Sequence, residues 1–256
     1  DATNVVRPEV CAVTNVALDH TEFLGDTLEQ VAREKAGIAK EGVPLVTAET
    51  DPELVEILRR EATSRGARFH SLDEEERVGE PKTDFDGSRF RMKTDSWGEL
   101  LLETSLVGAH QIRNVALAVR ALDLIDGPLR PDESSVVDGV RRARWSGRFE
   151  VRREEGRTWI YDVAHNVEGT KALLQTAEVV GIPEPRVVVF GCLADKDWHS
   201  MLDLLRSWAD RAVLVPPPGA PAGRAWDPIG ARDAFAGWTE VTADVAAALD
   251  RARELA

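Results

Sequence analysis

The chain is 256 residues long, with 45 acidic against 32 basic side chains and a net charge of −13. A surplus of that sign argues against a nucleic-acid surface, which needs basic patches, and no apolar run approaches the ~18–20 residues required to cross a bilayer. The length suffices for two domains, each with a core of its own. Only six of the 32 basic residues are lysines. The acidic surplus therefore reads either as a halophile's carboxylate surface, which keeps a protein soluble at high salt, or as a coding bias toward arginine. Cys11 and Cys192 both lie in apolar, strand-like runs. Two buried, reduced thiols are expected rather than a disulfide or a metal pair, and with them a cytoplasmic protein.

In chain order, Val10–Val16 is an apolar run of buried-strand type, and Asp26 or Thr27 is placed to cap a helix from Leu28 to Ala39. Pro44–Glu49 reads as a short strand, Asp51-Pro52 as the start of a helix reaching Ser64, and Ala67–Leu72 as a third strand. Asp73–Glu76 is expected to be a solvated acidic loop. Arg89–Asp95 and Glu99–Leu106 alternate as antiparallel partners joined around Ser96-Trp97-Gly98. His110–Ile125 is a strongly amphipathic helix stopping near Asp126-Gly127-Pro128, and Pro131 opens another. At Trp145-Ser146-Gly147 helical patterning gives way to strand patterning, so domains are expected at 1–144 and 145–256. Beyond that point come strands at 149–153 and 158–163, a helix at 168–180, a strand at 186–190 and a helix at 198–208. A strand at 212–215, a proline-rich loop, a short helix near Pro228, a strand at 239–242 and a last helix from Val245 complete the pattern. Strands alternating with helices indicate a small doubly wound sheet.

Several polar residues fall where such a fold does chemistry. His20, with Asp19 and Glu22, lies just past the carboxyl end of a strand, where open parallel sheets bind ligands. A neutral imidazole there is either a surface histidine or a ligand for a divalent ion holding phosphate. Lys35 is either a solvent-facing helical lysine paired with an acid or an amine that must lose its proton, which an arginine cannot do. Gln111 and Asn114 offer carboxamides that read an adenine edge or take part in capping. Arg148 is placed to neutralise a phosphoryl group. Asp162 with His165 reads as a helix N-cap arrangement or as ligand contacts, and the mixed-charge loop Asp195-Lys196-Asp197 as capping or substrate contact in equal measure.

Asn15-x-x-Leu18-Asp19-His20-Thr21-x-x-Leu24-Gly25, followed by Arg33-Glu34-Lys35-Ala36-Gly37-Ile38, resembles the folylpolyglutamate synthase/dihydrofolate synthase branch of the Mur ligase superfamily. Gly108-x-His110-Gln111-x-x-Asn114, Gly147-Arg148-x-Glu150, Asp162-x-Ala164-His165-Asn166 and the loop from Gly191 to Asp197 resemble further motifs of that branch, in family order over almost the whole chain. The resemblance implies an α/β fold: a partial Mur-ligase-like central ATPase domain, then a smaller Rossmann-like doubly wound C-terminal domain. It implies an ATP-dependent, ADP-forming ligase that joins L-glutamate to dihydropteroate or a folate through an acyl phosphate, with two Mg²⁺ ions and closure about a hinge at Trp145–Arg148.

By the same resemblance His20 is a Mg²⁺ ligand, and Lys35 is carbamylated so that the carbamate helps hold the metal. Gln111, Asn114, Arg148, Asp162 and Asn166 contact ATP, and His165 positions nucleotide or glutamate. Partners are small molecules only, with neither nucleic acid nor membrane, and a monomer is expected. Ala109 and Val163 depart from the family pattern, which carries a basic residue and a glycine there; a tighter or strained turn is expected at Val163. No Gly-x-x-x-x-Gly-Lys-Ser/Thr loop occurs. The chain is therefore expected to be an internal fragment of a longer ligase, inactive by itself. The alternatives are a Mur-type ligase for a muramyl or cyanophycin-like acceptor and a non-catalytic scaffold.

Overall fold

The computed structural model describes residues 5–17 and 25–256. The chain divides into two compact units, Asp1–Ser146 and Gly147–Ala256. The sequence pattern places the break two residues earlier, between 144 and 145.

The first unit is built on three parallel strands in the order β1 (Cys11–Val13), β2 (Pro44–Thr47), β3 (Arg68–Ser71). Helix α1 (Leu28–Ala36) connects the first pair and α2 (Pro52–Ser64) the second. Thr27, rather than Asp26, caps α1 by accepting from the Gln30 N–H, and Asp51 caps α2 with Pro52 in its first turn, where a missing N–H costs nothing. One face of the sheet buries Cys11, Val13 and Leu45 against Val31, Ala32 and Ala36 of α1 and Leu54, Leu58 and Ala62 of α2.

The other face carries Val46 and Ala48 into a second core. There β5 (Gly87–Lys93) and β6 (Glu99–Thr104) form an antiparallel sheet with a short β4 (Lys82–Asp84) that sequence patterning does not predict. Strict alternation puts Phe90, Met92, Leu100 and Leu102 inward against Ile112, Val115, Ala116 and Val119 of α3 (Ala109–Asp123). Each such side chain removed from water contributes ~1.5–3 kcal/mol. Helix α4 (Glu133–Arg142), capped by Asp132, adds Val136.

The acidic run 73–76 is not a uniformly solvated loop. Arg120 on α3 is 2 % exposed. It binds Asp123 and Asp95 at 2.8 Å and Glu75 at 3.1 Å, while His70 Nδ1 lies 2.9 Å from Glu75 and Arg77 also pairs with it. Burial pushes the Glu75 carboxyl up. The hydrogen bonds from His70 and Arg77 and the charges of Arg120 and Arg77 outweigh burial, so its pKa is held down at about 2. Among the described residues, Glu76 takes φ 45° as the chain leaves this cluster.

The second unit opens with a hairpin, β7 (Glu150–Glu154) and β8 (Arg157–Tyr161), turning at Glu155-Gly156 with both φ values positive, as a two-residue turn between twisted strands requires. Helix α5 (Val167–Val180) follows. Three parallel strands then lie in the order β11 (Thr239–Val241), β10 (Arg211–Leu214), β9 (Val187–Phe190). The crossover helices α6 (Trp198–Arg206) and α7 (Pro228–Ala234) pack on the face carrying Phe190, Ala212 and Leu214, and α8 (Val245–Leu255) on the face carrying Val187, Val189 and Val213. The sheet is doubly wound. Its first core is aromatic: Phe190 meets Trp226 edge-on at 5.4 Å between ring centroids, Trp198 lies 6.1 Å from Trp226, and Phe235 lies 6.1 Å from Trp238.

Candidate active site

In the first unit, His20 lies outside the described residues, as do Asp19 and Glu22. Lys35, in the last turn of α1, reaches back and donates from Nζ to the Asn15 carbonyl at 2.7 Å. The lysine amine therefore sits at the carboxyl end of the parallel sheet. Glu49, at the same edge just beyond β2, is 6 % exposed and accepts from the Val16, Thr50 and Asp51 N–H groups. Sequence reasoning passed over this acid; its signal was a glutamate directly after a buried strand and before a helix cap.

Helix α3 begins at Gly108, whose φ is 109° and which offers no side chain to cap the helix. Gln111 is buried, Asn114 is exposed, and Asn114 Nδ2 donates to Gln111 Oε1 at 3.3 Å. This leaves the Asn114 carbonyl and the Gln111 amide hydrogens as an acceptor and a donor side by side. Arg113 donates to Ala48 O, just past β2, through Nε and Nη2 at 3.1 and 2.6 Å and to Asp73 at 2.8 Å. It was missed too, because its partners lie far away in the chain.

In the second unit the structure gathers Arg148, Asp162, His165 and Asn166 around one turn. Arg148 stands between Gly147, φ 71°, and Phe149, φ 49°. The left-handed Phe149 is held by its buried ring and by Asp162 Oδ2, which accepts its N–H at 2.8 Å, while Glu150 Oε2 accepts the Gly147 N–H at 2.9 Å. Two such residues flanking one arginine fix the direction of its backbone. Among the described residues, none pairs with its guanidinium.

Asp162 Oδ1 accepts from Ala164 at 2.7 Å, so both carboxylate oxygens organise the turn; the helix cap is Asn166, whose Oδ1 accepts from Gly169 at 2.7 Å. The His165 ring is exposed, with Nδ1 3.0 Å from Val163 O. Val163 itself carries no positive φ; the strain expected there resides on Phe149. The loop at Asp195–Asp197 divides its acids: Asp197 caps α6 and Asp195 forms a two-point pair with Arg224 at 2.7 and 2.8 Å.

Residues 1–122 match the Mur ligase middle domain and residues 147–256 the Mur ligase glutamate ligase domain. The chain belongs to the Mur ligase family. This family member is 35% identical over 211 residues to a Bacillus subtilis dihydrofolate synthase/folylpolyglutamate synthase, an alignment covering 82% of the chain and 49% of that protein. A Lacticaseibacillus casei folylpolyglutamate synthase is 32% identical over 225 residues, 86% of the chain and 52% of that protein. The chain thus spans about half the length of the curated relatives it matches. Among solved structures, a Mycobacterium tuberculosis folylpolyglutamate synthase complexed with ADP superimposes with a TM-score of 0.84 at 27% identity, covering 100% of this chain and 58% of that one. The α/β architecture with Mur ligase middle and C-terminal domains is therefore the observed one.

Proposed function

We propose that the protein to which this chain belongs is an ATP-dependent, ADP-forming amide ligase that adds L-glutamate to dihydropteroate, to a folate, or to both. In the reaction a carboxylate oxygen of the acceptor attacks the γ-phosphorus of ATP, ADP leaves, and an acyl phosphate results. The amino group of glutamate then attacks the acyl carbon, inorganic phosphate leaves with the C–O bonding pair, and the amine gives up a proton. The observation that carries this reading is Arg148, whose backbone is held between two left-handed residues and whose guanidinium is engaged by none of the described side chains, on a domain whose relatives are folylpolyglutamate and dihydrofolate synthases.

In this reading the first unit is the ATP-binding middle domain and the second the glutamate ligase domain. Gln111 and Asn114 read the adenine edge with the Asn114 carbonyl and the Gln111 amide, the groups left over from their own hydrogen bond. Arg148 balances charge on the phosphoryl group as it transfers, a role worth most in a site shielded from water. Asp162 acts by shaping the turn that presents Arg148, and His165 and Asn166 face nucleotide or glutamate with the ring and the amide Nδ2. Lys35 fits a metal-holding carbamate, because its amine already lies beside the β1 loop that runs on toward His20; His20 and that carbamate would hold Mg²⁺, which supplies positive charge to the phosphates when bound. The two thiols, buried and reduced, suit a cytoplasmic enzyme.

The test is ADP release by the complete gene product, with Mg²⁺, ATP and L-glutamate, and dihydropteroate or tetrahydrofolate as acceptor. Release dependent on both glutamate and a pterin acceptor is expected. Release with a muramyl or aspartyl-polymer acceptor alone, or with none, would replace this reading.

A further inference from the structure

One peptide group links an acid and an amine at the sheet's carboxyl edge. The Asn15–Val16 peptide is trans, so its N–H and C=O point in opposite directions. Its N–H donates to Glu49 Oε2 at 2.6 Å, and its C=O accepts from Lys35 Nζ at 2.7 Å. Hydrogen bonds in series polarise one another: a carboxylate on the N–H makes the carbonyl a better acceptor for an ammonium. Glu49 is anchored in turn, since its Oε1 accepts from Thr50 at 2.7 Å and Asp51 at 3.0 Å at the opening of α2. Its own N–H donates to the Thr47 hydroxyl, which donates onward to Val13 O.

We infer that Glu49 is a positioning residue that fixes the amine of Lys35 through the Asn15–Val16 peptide. Burying a carboxylate is costly unless its oxygens are satisfied, and this one is satisfied only in a geometry that ties the end of β1 to the start of α2. The amine on α1 is thereby referred to the two strand ends rather than to its own flexible stem. A glutamine would keep the shape, but with Oε1 on Thr50 and Asp51 its amide group would face the Val16 N–H donor to donor. An aspartate would keep the charge beside Thr50 and Asp51 but is one methylene too short to reach Val16. The consequence for turnover rests on the ligase reading; the consequence for Lys35 does not.

The experiment therefore reads both, using Glu49→Gln and Glu49→Asp in the complete gene product. Labelling of Lys35 by acetic anhydride, in CO2-depleted buffer where a lysine carbamate dissociates to the free amine, is mapped by mass spectrometry without substrates and with Lys40 as internal standard; it is expected to accelerate severalfold in both variants while Lys40 stays unchanged. In the ligase assay, kcat is expected to fall ~10-fold or more with KM for ATP little altered, the range typical for partners one step removed from a metal-binding group. A Lys35-to-Lys40 labelling ratio equal to wild type overturns the inference, as does wild-type behaviour of Glu49→Asp, which would leave charge alone as the requirement. If Glu49→Gln does not fold, Glu49→Asp carries the same two readouts. Should the wild type show no ligase activity, the labelling ratio still decides the role of Glu49, and the functional reading fails separately.

Discussion

Arg148 owes its placement to the residues on either side of it. At Gly147 an added Cβ would lie 2.7 Å from Val163 Cγ1, and φ there is +71°, a region that L-residues enter at a cost of about 1–3 kcal/mol. Gly147→Ala is therefore expected to destabilise the second unit by ~1–3 kcal/mol in urea unfolding. Adding Val163→Gly should recover the steric part and leave the backbone part. Lys35→Arg makes a different demand. The fold should persist, because the stem and charge remain, yet ligation by the complete gene product should be abolished, since a guanidinium cannot form a carbamate. Full activity in that variant would remove the carbamate role.

At the scale of elements, the Arg120 cluster ties α3 to the loop after β3 and to the turn between β5 and β6. Asp123 lies within it fully buried, so Arg120→Ala leaves a buried charge uncompensated and is expected to cost ~3–5 kcal/mol by thermal or chemical unfolding. The cluster also sets an acid limit. Glu75 titrates at about 2 when folded against an ordinary 4.5, so between those values the unfolded chain binds the proton and the folded one does not. Its contribution is complete above about pH 4.5 and is lost as pH falls toward 2; Glu75→Gln should flatten stability across that window.

Elements themselves were legible in the sequence wherever a local signal existed. Asp51-Pro52 marked the start of α2, alternation marked β5 and β6, and the Trp145–Gly147 break lay within two residues of the division between units. The clusters were not legible. Glu75 and Arg120 are 45 residues apart, and Val16 and Glu49 are 33 apart. A run of three glutamates looks solvated until the arginine that meets one of them is placed by the fold. Asp162 read as a helix cap or a ligand contact, but its task of holding Phe149 depends on a left-handed residue that nothing local announces.

For the whole molecule, two compact units joined through one exposed stretch make a simple prediction. Trp145 is 69 % exposed and its neighbours Arg144 and Ser146 are exposed as well, whereas most other aromatic side chains are packed. Limited chymotrypsin digestion is expected to cut first after Trp145, giving two resistant fragments that mass spectrometry would place at 1–145 and 146–256. Early cleavage within either core would contradict two separately packed units.

The packing of Trp198, Trp226 and Trp238 around the β9–β11 sheet has an optical consequence. Five of the seven tryptophans, Trp159, Trp198, Trp208, Trp226 and Trp238, belong to the second unit. Intrinsic emission on heating or in urea therefore reports mainly the loss of that unit, while the far-ultraviolet signal from helices follows both. Two melting curves from one cuvette would separate the two halves of the chain without cutting it.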